Sequence, residues 1–277
     1  MIEQTITPDE IMVTCIARQL VDGETVAQGL ATPLIAAAYL LARKTHAPHL
    51  YIMSAIGQGI CRQPAPIGLA HIEKLWLDRA INSVGFARAV TEILPSLQPK
   101  EFFRPAQIDE YGNFNNIAFG KEYLTSRSTR LRLPGSGGIP DVTTTYTSDI
   151  HLYVPRHSRV TFVKKLDIRS GLGHHPSRKR GTGPKYLTSD LGLFDYKHGR
   201  MRLISYHPGV TIENIQNRTG FEIEISPDVH ETPAPTTEEL RLLREEIDPL
   251  GVRRIESLSG AVRRNLLHDI LEKESVA

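Results

Sequence analysis

The 277-residue chain predicts an α/β fold: an open, mostly parallel sheet flanked by helices. Three observations carry the prediction. Strand, turn and helix alternate from Thr7 to Gly59, the order that builds parallel sheets with helices outside. The segment 33–43 is apolar on nearly every side, as expected of a helix buried under a sheet. Residues 49–54 (HLYIMS) read as a buried strand running into Ala55-Ile56-Gly57-Gln58-Gly59, and open α/β sheets bind ligands beyond the carboxyl ends of their strands.

Taken in order, Thr7-Pro8-Asp9-Glu10 opens the first helix, with a hydroxyl at the N-cap, proline at the first helical position and glutamate at the third. Ile11, Cys15, Ile16 and Leu20 follow at helical spacing. A strand is expected at 26–30, and Thr32 as cap of the second helix. Residues 78–94 read as weakly helical, 102–108 as a strand, 109–113 as a turn, and 150–154 and 160–163 as strands. The run 170–186 (SGLGHHPSRKRGTGPKY) has no periodicity and reads as a long loop, functional or mobile. Strands at 191–194 and 201–205 flank a Lys-His-Gly turn and suggest a hairpin; Thr211 caps one helix, and Thr236 and Thr237 open another that stops at Asp248-Pro249. Residues 258–274 form an amphipathic helix that could dock on the body or on a partner. One domain over 1–255 followed by this helix is the expected organisation.

Composition narrows the function classes. Net charge is +2, from 33 basic and 31 acidic residues, so nothing demands nucleic acid or a membrane surface. Cys15 and Cys61 cannot make a disulfide framework, and Cys15 lies on an apolar stripe. No basic-then-apolar leader is visible, and the longest apolar stretch, 30–41, contains Pro33 and falls short of the ~20 residues a membrane span needs. A soluble, cytoplasmic protein is expected.

The glycine cluster Gly135-Ser136-Gly137-Gly138 could aim backbone amides at an anionic oxygen, or be a tight turn. It matches neither the Walker nor the dinucleotide pattern. The 170–186 loop could bind a nucleotide phosphate, an acidic substrate or nucleic acid, or simply be solvated, and His174-His175 lack the companions of a metal site. His207 is a candidate acid–base group or a turn anchor, and Cys61 a nucleophile only with a lowered pKa. Asp109, Glu110 and Asp141 are the carboxylates nearest the glycine loops.

Six motifs in order resemble the B-type chains of glutaconate-type enzymes in the class I CoA-transferase family: THAPHL (45–50), AQIDEYGNFN (106–115), LPGSGG (133–138), TSDLGLFDY (188–196), HPGVTIENIQNRTGFE (207–222) and TTEELRLLREEIDPLG (236–251). The resemblance implies an open α/β fold related to ribose-5-phosphate isomerase. It also implies an A-type (alpha) partner chain, in a heterodimer or heterotetramer, with the active site between the two. Coenzyme A thioesters are then substrates and no cofactor is permanently bound. In the family's transferases a B-side glutamate attacks the acyl-CoA, and the glycine-rich loop matching Gly135, Ser136, Gly137 and Gly138 steadies the oxyanion.

Counted from Ala47-Pro48, that glutamate falls at Ala55, and Met53, Ser54, Ile56 and Gly57 carry no carboxylate either. A methyl group cannot form an anhydride or a covalent CoA adduct. Relatives lacking the glutamate are understood to hydrolyse, ring-open or decarboxylate CoA-linked acids, and the expected substrate is the CoA thioester of a dicarboxylic or keto acid. The expected site comprises position 55, Gln58, Ser54, Gly57 and the four residues of the glycine loop. Two alternatives stand beside this: a transferase whose nucleophile comes from elsewhere, and a silent acyl-CoA-binding partner.

Overall fold

The structure, a computed structural model, describes residues 5–29, 32–54, 59–61, 65–70, 72, 76, 78–120, 131–136, 150–179 and 181–276. Its contacts fall into two compact units, Met1–Pro99 with Pro233–Ala277, and Lys100–Thr232. The last helix falls within the first of these units.

In the first unit the helix α1 (Pro8–Ala17) precedes β1 (Thr25–Gln28), α2 (Pro33–Lys44), β2 (Tyr51–Ser54), β3 (Gly59–Cys61) and β4 (Ala80–Ser83). The strands lie in that order, β1 and β2 parallel, β3 antiparallel to both neighbours, so one strand runs against the other three. Every residue of α2 from Leu34 to Ala42 is buried, as its all-round apolarity requires. Leucine-sized side chains buried there contribute about 1.5–3 kcal/mol each. Tyr39 keeps its polar tip satisfied by donating to the Ala27 carbonyl at 2.8 Å.

The helix entries depart from local expectation. Thr7 N–H donates to Glu10 Oε2 at 3.0 Å, but the Thr7 hydroxyl is buried without a partner among the described residues. Thr32 does not cap α2: its hydroxyl donates to the Gly29 carbonyl, and the Leu34 amide donates instead to Glu256 Oε1 at 2.9 Å. A carboxylate at a helix N-terminus satisfies both an orphan amide and the helix dipole, which a neutral hydroxyl does less well.

Residues 78–94 are not one helix. Ala80–Ser83 forms β4, because β3 offers an unpaired edge, and a side chain at Gly59 would overlap the Asn82 carbonyl across that ladder. Short helical turns cover Phe86–Leu97 only beyond Gly85. After the expected capping box at Thr236 and Glu239, the chain ends in the helix Gly260–Val276. Glu274 accepts from the amides of Leu69 and Ala70 at 2.5 and 2.6 Å, so the helix docks on its own unit. Its amphipathic stripe is only partly used: Ile270 is buried, while Val262 and Leu271 are exposed.

The second unit contains β5 (Lys100–Phe103), β6 (Ile150–Val154), β7 (Tyr186–Ser189), β8 (Gly192–Lys197), β9 (Arg200–Tyr206) and β10 (Glu224–Glu231), neighbours in that order. Only β8 opposes the common direction, so the mostly parallel sheet is confirmed. The β8–β9 hairpin turns on His198 and Gly199, both at positive φ, as the Lys-His-Gly pattern anticipates. The expected strand 102–108 is broken at Pro105, which has no N–H to donate; Gln107–Ile108 pairs separately with Phe114–Asn115. Residues 160–163 make only an isolated bridge, Phe162 to Ile108. Phe103, Phe114, Phe162, Phe194, Leu152 and Leu187 centre the core of this unit.

Candidate active site

In the first unit the parallel strands β1 and β2 end side by side on Gln28 and Ser54, which face each other in register. Both are buried, at 3% and 4% exposure. These are carboxyl ends of parallel strands, where α/β sheets place ligands. The Gln28 Oε1 is buried with no hydrogen-bond partner among the described residues. An unpaired polar atom of this kind costs about 1–3 kcal/mol, so Gln28 presents an acceptor that no described residue uses. Sequence reasoning misses this residue; its one signal is an amide following Val26 and Ala27 at the end of β1. Ala55, Gly57 and Gln58 lie outside the described residues.

In the second unit the approach to the glycine loop is fixed by the Leu133 amide donating to the Ile117 carbonyl at 2.8 Å. Gly135 has φ +106°, a backbone conformation that favours glycine, and no described residue crowds the place where a side chain would stand. The next hydroxyl, Ser136 Oγ, is buried and unpartnered among the described residues. Gly137 and Gly138 lie outside them.

The other candidates resolve into structural roles. His207 anchors its turn, its Nε2 donating to the Ser189 carbonyl at 2.8 Å and Nδ1 meeting Thr232 Oγ1 at 3.0 Å. His157, stacked on Phe162, meets Ser189 Oγ and Thr219 Oγ1. Desolvation pushes His207 down to about 4 and His157 down to about 3. The unfolded chain therefore binds more protons than the native one between these values and ~6.5, and stability falls as pH drops through that window. For His207 alone the loss is on the order of 3 kcal/mol. Urea unfolding of His207→Gln is expected to show a weaker fall from pH 7 to pH 4.5 than the wild type; an unchanged slope would assign the acid sensitivity elsewhere.

Cys61 is buried, its thiol pushed up by desolvation, and donates to the Trp76 carbonyl, which removes it as a nucleophile. Cys15 is buried likewise and pushed up to about 12. Glu110 pairs with Arg200, Asp109 organises its own turn, and Asp141 lies outside the described residues.

No family model matches the chain. It is 31% identical over 261 residues to the B chain of glutaconate CoA-transferase from Acidaminococcus fermentans, spanning 88% of this chain and 93% of that one. It is 32% identical to the IpdB component of the cholesterol ring-cleaving hydrolase of Rhodococcus jostii, over 83% of this chain and 88% of the other. Among solved structures, the decarboxylase AibA/AibB superimposes with a TM-score of 0.77 at 28% identity, covering 91% of this chain and 99% of that chain. The chain belongs to the CoA-transferase family, among the homologues of its B-type chains. No helix among the described residues is long and apolar enough to cross a membrane.

Proposed function

We propose that this chain is the B-type (beta) half of an enzyme that pairs with an A-type half and acts on the CoA thioester of a dicarboxylic or keto acid. Its reaction is hydrolysis, ring opening or decarboxylation, with the acid–base group supplied by the partner. The observation that carries this reading is Ala55, flanked by Met53, Ser54, Ile56 and Gly57, with no carboxylate to serve as covalent nucleophile. That the relatives include a hydrolase and a decarboxylase supports it.

In this reading Gly135, Ser136, Gly137 and Gly138 stabilise the thioester oxyanion, an effect typically worth ~2.7–4 kcal/mol per donor. Gln28, Ser54 and Gln58 orient the acyl group or a water. Turnover of the paired enzyme over a panel of acyl-CoA esters, scored for free CoA, CO2 and transfer to an added acid, tests it. Transfer with a protein-bound CoA would establish the transferase alternative, which the similarity to glutaconate CoA-transferase favours.

A second prediction separates function from folding. Gln28→Leu removes a buried carbonyl oxygen that has no partner among the described residues and is expected to raise unfolding free energy by about 1–3 kcal/mol, while kcat falls. Reduced stability together with unchanged kcat would show Gln28 to be an ordinary packing residue.

A further inference from the structure

In the second unit a cavity of about 520 Å3 opens between the turn 109–113 and residues 164–176. The 170–186 loop is laid against that turn by the His174 amide on the Tyr111 carbonyl (2.8 Å) and the Gly173 amide on Asn113 Oδ1 (3.0 Å). Gly173 permits the approach, since a side chain there would overlap the Tyr111 carbonyl and the backbone beside it.

The lining is cationic. Lys164, Lys165 and Arg169 stand against one carboxylate, Asp109. That carboxylate is already committed, accepting from the Tyr111 amide (3.0 Å), the Asn113 amide (2.9 Å) and Asn113 Nδ2 (3.0 Å). Neither lysine makes an ion pair or hydrogen bond with a described residue. Arg169 donates one N–H to His175 Nε2 at 2.9 Å, which leaves the rest of its fork for a ligand. Tyr111, 42% exposed, offers an aromatic face at the rim.

We infer that this cleft binds a phosphate-bearing nucleotide, with Lys164, Lys165 and Arg169 on the phosphates and Tyr111 against the base. A guanidinium fork and adjacent ammonium groups suit phosphate oxygens, and the volume lies in the range of small-molecule sites. Two sources share this chemistry: the adenosine bisphosphate end of a CoA thioester, which rests on the function proposed above, and a separate phosphorylated effector, which does not.

Calorimetric titration of the full chain distinguishes them. Adenosine 3′,5′-bisphosphate and inorganic pyrophosphate are expected to bind, acetate not, and binding to weaken as salt rises from about 0.05 M to about 0.5 M. The double variant Lys164→Gln/Lys165→Gln, altered only at exposed positions, is expected to keep its melting temperature and lose about tenfold or more in affinity. Displacement of the bound bisphosphate by free CoA assigns the cleft to the CoA end, and bisphosphate that CoA does not displace assigns it to a separate effector; pyrophosphate binding as tightly as the bisphosphate would overturn the contact of Tyr111 with a base. No binding of either phosphate at millimolar concentration, or equal affinity in the double variant, overturns the inference. Should the paired enzyme turn over no acyl-CoA of the panel, releasing neither CoA nor CO2 and altering no acyl group, while bisphosphate still binds, the proposed function fails and the cleft stands.

Discussion

Replacing Arg253 with alanine is expected to cost the chain about 3–5 kcal/mol, the penalty for removing one partner of a buried ion pair. Arg253 is buried among three carboxylates: Nε lies 2.8 Å from Asp9 Oδ2, Nη2 3.1 Å from Glu10 Oε1 and Nη1 2.9 Å from Asp248 Oδ2. Glu10 would keep Arg244, at 2.6 Å, and Asp248 would keep the amides of Val252 and residue 253, but Asp9 would lose its guanidinium. At this chain length the melting temperature would drop by roughly 6–20 °C. The deficit carries a pH signature. Burial already holds the Asp248 carboxyl above its usual value and Arg253 is what pulls it back, so without the guanidinium it takes up a proton more readily in the native state than unfolded, and the variant recovers part of its loss on going from pH 7 to pH 5. A loss under about 1 kcal/mol in urea, independent of pH, would mean that the network is replaceable packing.

The second large effect is a gain. With Ala55→Glu in the paired enzyme, incubation with an acyl-CoA is expected to yield a protein-bound CoA that the wild type does not form. The carboxylate attacks the thioester carbonyl, expelling CoA thiolate and leaving a mixed anhydride. The thiolate then attacks the glutamyl carbonyl, releasing the free acid and leaving an enzyme–CoA thioester. Intact-mass analysis of this chain reads the adduct directly, and hydroxylamine cleaves it. An adduct on the wild-type chain would end the hydrolase or lyase reading. None on the variant would mean that more than one carboxylate separates this chain from a transferase.

Much of the fold was legible because its signals are local. Thr7-Pro8-Asp9-Glu10 places a helix start within four residues, Thr236 and Glu239 do the same, and Lys197-His198-Gly199 makes a hairpin from its own backbone preferences. The buried second helix announced itself by having no polar face. Where the expectation failed, the deciding partner was distant or the local signal weak. Glu256, not Thr32, caps α2 from 222 residues away. The strand 80–83 exists because β3 has an edge to pair, which no periodicity within 78–94 records.

The candidate site divides in the same way. Ala55 and the Gly135–Gly138 run are statements about residue chemistry, and chemistry is written in residue identity: a methyl group at position 55 cannot itself attack a thioester, whatever surrounds it. Gln28, the committed carboxylate of Asp109 and the cationic cleft of Lys164, Lys165 and Arg169 depend instead on what each group lacks or shares in space. Family, the mostly parallel sheet and the alanine at position 55 were determined by the sequence itself. Which polar atoms stand unpaired, and which charges converge, only the tertiary structure decided, because hydrogen bonding and desolvation depend on neighbours brought together by folding rather than on the order of residues along the chain.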